Sequence, residues 1–163
     1  MTEQKQSLTE QTARRWLSER GVKIEDIAEL VMYLQNDYHE NLQMEECIHN
    51  VERVLSKREV QNAILSGIQL DILAEKKLLE EPLQSIIEKD EGLYGVDETL
   101  ALSIVNVYGS IGFTNYGYVD KKKPGILQLL NDKSTGKVNT FLDDIVGAIA
   151  AAASSRLAHR KEE

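Results

Sequence analysis

The sequence predicts an all-α protein, and three observations carry that prediction. Apolar residues recur at spacings of three and four along most of the chain, the pattern of amphipathic helices. Sustained strict alternation of apolar and polar residues, which would mark half-buried strands, is absent. Near the C-terminus, the stretch from Ile145 to Ser155 carries no charge and is dominated by small residues. A helix that is apolar all round, with small side chains, belongs at the centre of a bundle where neighbours approach from every side. The expected architecture is a single-domain helical bundle, residues 1–163, with one central buried helix surrounded by others. At 163 residues the chain is long enough to bury a real core in one domain.

Each element has its own signal. Ser7-Leu8-Thr9-Glu10 has the capping-box pattern and opens a first helix that Gly21 ends. Its apolar marks Leu8, Trp16 and Leu17 are sparse, so it is expected at the periphery. Ile24, Ile27, Ala28, Leu30, Val31 and Leu34 predict a second helix, and Cys47, Ile48, Val51, Val54 and Leu55 a third. A longer helix is expected from about Glu59, with apolar positions reaching Leu78. Pro82 suits the first turn of a short helix bearing Leu83, Ile86 and Ile87. Asp97 opens the next, with Leu100, Ile104, Val105 and Val107. Thr99 to Val119 is 21 residues without a charge, long enough to span a bilayer as a helix. Its Ser103, Asn106, Ser110, Thr114 and Asn115, with three glycines, would be expensive in lipid, so it reads as a buried helix running into a loop. Pro124 starts a helix containing Ile126, Leu127, Leu129 and Leu130. The Ala-rich final helix runs from about Phe141 to about His159. No internal repeat and no shift in composition marks a second domain.

Bulk charge narrows the function. A net charge of -8 argues against a nucleic-acid partner and opposes docking on an anionic leaflet unless basic residues are locally concentrated. An excess of carboxylates suits divalent cations. Cys47 stands alone, which rules out an intramolecular disulfide and a cysteine-based zinc site and fits a reducing cytosol. The polar start MTEQKQSLTEQ has no apolar core of a signal peptide, so a cytoplasmic protein is expected.

Three short acidic motifs carry the chemistry: Asp97-Glu98, Asp120 with Lys123-Pro124, and Asp143-Asp144. Two of them fall at expected helix starts, where the positive dipole end and free amides are also found. That combination can hold carboxylates around Mg²⁺ or Mn²⁺ and still admit a phosphate, with Lys123 adding a positive contact. Each motif also has a plain structural reading. Asp97 is a good N-cap with Glu98 in the first turn, and Thr140 to Asp143 resembles a capping box with Asp in place of Glu. Lys121-Lys122-Lys123 reads equally as a solvated loop. Other patterns carry less. Glu46 and His49 have the Glu-x-x-His spacing of di-iron bundles, but only once. Gly109-Ser110-Ile111-Gly112 follows a helical segment and lacks a full nucleotide-binding spacing. Nothing argues for a covalent nucleophile.

The three motifs, taken in order, resemble the phosphatidylglycerophosphatase A family over roughly Ile64 to Ser155. Val96-Asp97-Glu98 matches its Asp-Glu motif. Asp120-Lys121-Lys122-Lys123-Pro124 matches its Asp-x-x-Lys-Pro stretch, with Leu127 in the final Ile position. Phe141-Leu142-Asp143-Asp144-Ile145-Val146 matches its Asp-Asp-Ile-Val motif. The whole chain is similar to the soluble, YutG-like branch, the low-temperature-requirement C proteins. The resemblance implies an all-α fold with one central helix and a magnesium-dependent phosphatase that removes the terminal phosphate of phosphatidylglycerophosphate in phospholipid synthesis. By carry-over, Asp97, Glu98, Asp143 and Asp144 would hold the metal, and Asp120 and Lys123 would shape or contact the phosphate site. The implied partner is a phosphate ester, including a lipid headgroup met from the membrane surface; a homo-oligomer is compatible with it. The Pro-Gly-Thr-x-Gly-Ser segment and the transmembrane helices of membrane-bound relatives have no counterpart here, and Ala101 stands where a Gly is expected. Two readings follow: a metal-dependent phosphomonoesterase, or a non-catalytic helical binding module that keeps the acids as caps or as a structural divalent-cation site.

Overall fold

A helix without charge from Ile145 to Ser155 has no face to show to water, and the fold is arranged around that fact. The computed structural model describes residues 5–160, which form nine α-helices and no strand. They are α1 Leu8–Glu19, α2 Ile24–Gln35, α3 Met44–Leu55, α4 Arg58–Glu75, α5 Leu83–Glu88, α6 Val96–Val105, α7 Ser110–Lys122, α8 Ile126–Leu130 and α9 Leu142–Arg160. Short 3-10 turns occur at Asn36–Tyr38, Asn106–Tyr108 and Lys133–Thr135. Every residue from Phe141 to Ser155 is buried. α9 is packed by α2, α3, α4, α6, α7 and α8, so the expected all-α bundle around one central helix is what the chain adopts. No helix among the described residues is long and apolar enough to cross a membrane.

Small residues set how closely the helices approach. A Cβ on Gly67 of α4 would collide with the Ile145 side chain and stand 3.0 Å from Phe141 Cβ, so α4 crosses α9 where it has no side chain. Gly112 of α7 is tight as well, since a Cβ there would stand 2.8 Å from Val105 Cγ1, whereas at Gly147, facing α7, a Cβ would make only ordinary contact with Val119 Cγ1 at 3.5 Å and Tyr116 at 3.8 Å.

Elsewhere the elements depart from expectation in instructive ways. The segment expected to run from a helix into a loop is two helices. α6 stops at Val105, Gly109 turns the chain at φ +87°, and α7 continues to Lys122. The buried positions of α7 include Gly112, Tyr116 and Val119, spaced four and three apart. One of those positions is a glycine, so a count of apolar side chains misses the stripe. α4 ends at Glu75, and Leu78 lies beyond it, exposed. Gly95, at φ +74°, caps α6, which puts Asp97 in the first turn rather than at the cap itself. Pro124 precedes α8, whose N-cap is Gly125. In α1 the Ser7 hydroxyl accepts from the Glu10 amide at 3.1 Å, while the Glu10 carboxylate turns to Arg14 instead of closing the box.

Candidate functional site

The site is built where the first turns of α6 and α9 meet the C-terminal end of α7. The start of α9 is fixed from outside its own sequence. Asp71, fully buried on α4, accepts the Phe141 amide at 2.9 Å and the Leu142 amide at 2.9 Å. It thereby takes the capping role that the sequence assigns to Thr140. The Thr140 hydroxyl instead donates to Ile87 O at 2.6 Å. Burial pushes the Asp71 carboxyl up to about 8, against the pull of those two amides and of the Arg20 charge. On the other side of the turn, Arg20 donates to Val138 O at 2.7 Å and pairs with Glu75, which in turn accepts the Val138 amide at 2.9 Å. The approach to Asp143 is thus held by α4 and by the end of α1.

With that turn fixed, Asp143 and Asp144 enter the bundle side by side, both buried. The Asp144 amide donates to Asp143 Oδ1 at 2.9 Å. Tyr116 of α7 donates its hydroxyl to Asp144 Oδ1 at 3.1 Å. Asp97 of α6, also buried, stands near enough for its charge to raise the Asp144 carboxyl. Lys123, in the left-handed region at φ +47° just past α7, reaches back to Asp120 Oδ1 and to Asp143 Oδ2, both at 3.2 Å. Five of the six residues expected from the sequence therefore stand together: Asp97, Asp120, Lys123, Asp143 and Asp144. The sixth, Glu98, sits in the same turn as Asp97 with its side chain exposed, and acts on Tyr116 only through its charge. Asp71 and Tyr116 escape a reading of local motifs, because each meets the site from a distant segment.

The electrostatics follow from four carboxyl groups facing a single ammonium. Burial raises the Asp144 carboxyl far above the usual range, and Asp143, Asp97 and Asp120 push it the same way. Asp143 is raised by burial as well, but Lys123 pulls it back by charge and hydrogen bond. Desolvation works against the Lys123 ammonium, yet Asp143 and Asp120 outweigh it and hold the ammonium charged. A carboxyl group buried among others in this way keeps a proton. A divalent cation can take that proton's place and relieve the same repulsion.

The donor set suits a hard cation, being all oxygen. Among the described residues, no three His, Cys, Asp or Glu side chains are grouped as a ready-made cation cage. Mg²⁺ does not require one: it is commonly held by one or two carboxylates, keeping waters and adding oxygens from a substrate phosphate. Asp144, with Asp97 near it, offers two such carboxyl groups.

Comparison with known proteins agrees with the motif reading. The family model described as Phosphatidylglycerophosphatase A matches residues 17–159. The uncharacterized protein YutG of Bacillus subtilis (strain 168) is 69% identical over 161 residues, covering 98% of this chain and 97% of its own. The crystal structure of the low temperature requirement C protein from Listeria monocytogenes has a TM-score of 0.96 at 68% identity, covering 98% of this chain and 100% of that one. A protein of unknown function from Bacillus stearothermophilus gives 0.92 at 83% identity, over 93% of this chain and 94% of its own.

Proposed function

The chain belongs to the phosphatidylglycerophosphatase A family, and on that premise we propose that it is a metal-dependent phosphatase acting on a phosphomonoester, either phosphatidylglycerophosphate or a related phosphate ester of phospholipid metabolism. The single observation that carries this reading is the meeting of buried Asp143 and Asp144 with the Lys123 ammonium, 3.2 Å from Asp143 Oδ2, where the charge of buried Asp97 also reaches Asp144. Asp97 and Asp144 would hold Mg²⁺ or Mn²⁺, with Asp143 and the exposed Glu98 closing around it. When bound, the cation supplies positive charge that draws electron density from the phosphoryl group.

The chain's own groups do the rest. Lys123 is half-buried and anchored by Asp120, so its ammonium can turn from Asp143 to a phosphoryl oxygen without leaving the site. That turn frees Asp143 Oδ2 to take a proton from the attacking water. The water oxygen bonds to phosphorus, the ester P–O bond breaks, and the proton held on Asp143 passes to the departing alkoxide. Tyr116, whose hydroxyl burial and Asp144 hold firmly protonated, keeps Asp144 oriented.

The test is phosphate release, with Mg²⁺, Mn²⁺ or Co²⁺ present, from phosphatidylglycerophosphate and a panel of soluble phosphate esters. Asp144→Asn, nearly isosteric, is expected to lose about 100-fold or more. If every ester is left intact with every ion, the second reading stands, a non-catalytic module with a structural cation site. That reading has one observation of its own: Lys123 already compensates Asp120 and Asp143 within the fold.

A further inference from the structure

The outer side of α7 carries aromatic rings and ammonium groups but no exposed carboxylate. Among the described residues of α7, Phe113, Thr114, Gly117, Tyr118, Lys121 and Lys122 are exposed. The helical repeat puts all six on one side, over about 14 Å of its length. The acid of this stretch, Asp120, is half-buried and spent on Lys123 at 3.2 Å. Lys121 and Lys122 make no ion pair among the described residues.

Tyr33 of α2 extends this face. Its ring stacks on that of Tyr118 with centroids 6.0 Å apart and planes 19° apart, and the two hydroxyls lie 3.4 Å apart. Both rings are exposed. Glu29 and Asp37, four residues to either side of Tyr33 and also exposed, bound the patch on the α2 side. Exposed rings scattered singly need no explanation; a stacked pair in line with free ammonium groups does.

Charge selects the occupant. A chain of net charge -8 is repelled by an anionic surface in most orientations. With α7 turned to that surface, the nearest charges are Lys121 and Lys122, and each ammonium beside an anionic leaflet tightens binding about fivefold. Tyrosine and phenylalanine suit the headgroup level, where the ring meets acyl chains and the phenol meets polar groups. We propose that the outer side of α7, together with Tyr33, docks on an anionic bilayer surface. The docking is peripheral, since no helix among the described residues is long and apolar enough to cross a membrane. It brings the carboxylate site to the leaflet, because Lys123, the residue after Lys122, turns inward to Asp143. The docking rests on the phosphatase reading for its purpose, a lipid phosphate delivered to Lys123, and not for its test.

Sucrose-loaded vesicles of phosphatidylglycerol with phosphatidylcholine, and of phosphatidylcholine alone, are sedimented with the full chain in EDTA, so that no ion bridges carboxylates to lipid and nothing is hydrolysed. The chain should pellet with the anionic vesicles, stay in solution with the neutral ones, and be released by high salt. Lys121→Ala/Lys122→Ala should bind about tenfold or more weakly, and Phe113→Ser/Tyr118→Ser about fivefold or more weakly. Thermal midpoints check that these variants of exposed residues are folded. No pelleting with anionic vesicles, equal pelleting with neutral ones, or undiminished binding by the lysine variant would overturn the docking. So would a dimer in sedimentation velocity that Phe113→Ser/Tyr118→Ser converts to monomer, because the face would then join two copies of the chain. Phosphate release from a soluble ester by a chain that ignores vesicles would overturn the docking alone. Pelleting by a chain that hydrolyses nothing would uphold the docking and overturn the phosphatase reading alone.

Discussion

Asp71 shows how one buried carboxyl group can position a site it does not belong to. It receives two amides at the start of α9, and without it those donors would be buried and unpaired. Asp71→Ala should therefore cost about 1–3 kcal/mol in denaturant unfolding. Its titration has a definite sign. The folded-state value is raised to about 8 from 3.8, so between those values the folded protein holds a proton that the unfolded chain has released. The stability linked to that proton is complete below the unfolded value and is lost as pH rises through about 8. Asp71→Asn should flatten that part of the stability–pH curve, as urea midpoints from pH 4 to 9 would reveal; an unchanged slope would show that Asp71 does not titrate there. Lys123 is the second residue to probe. In the proposed enzyme Lys123→Ala should impair turnover or substrate binding more than metal affinity, because its ammonium contacts phosphate and no ion. Phosphate-release kinetics set beside calorimetric Mg²⁺ binding separate the two, and equal losses in both would remove Lys123 from the phosphate.

Among the elements, the crossing of α4 and α9 is the tightest constraint. Gly67→Ala places a methyl where Ile145 already stands, and overpacking of this kind costs about 1–3 kcal/mol. A drop in thermal midpoint without loss of helical circular dichroism below the transition is expected; an unaltered midpoint would mean that α4 can move away freely. The same crossing explains what was legible in the sequence. α9 was, because its lack of charge has only one comfortable place in a helical protein. α2 and α3 were, because an apolar stripe against a polar face is a local pattern. α7 was only half legible: its buried stripe includes Gly112, where a Cβ would stand 2.8 Å from Val105 Cγ1, and its burial comes from packing against α9. Tertiary packing of that kind outweighs weak local propensity. The site divides along the same line. Asp97, Asp120, Lys123, Asp143 and Asp144 lie in short motifs that can be read in place. Asp71 and Tyr116 act across 70 and 28 residues of chain, and no local pattern announces them.

At the scale of the whole molecule, three buried aspartates at one end of the bundle are a liability that the fold carries unless a cation relieves it. Asp97, Asp143 and Asp144 come from two helices that must be packed before the three meet, so the unfolded chain has no equivalent site. An ion that binds only the native state stabilises it by mass action, by about 2.7 kcal/mol when its concentration is a hundred times its dissociation constant. Millimolar Mg²⁺ or Mn²⁺ should therefore raise the melting temperature, and the rise should shrink in Asp144→Asn, which removes one carboxyl group from the cluster while keeping its shape. Asp97→Asn should do the same, because the cluster is shared between α6 and α9. Glu98→Gln, altering an exposed side chain, should leave most of the response in place. Differential scanning calorimetry of these variants with and without the ions separates the outcomes. A rise that persists undiminished in both aspartate variants would place the ion elsewhere on this acidic surface, and no rise at all would leave the three carboxyl groups as neighbours held by protons and by Lys123 alone.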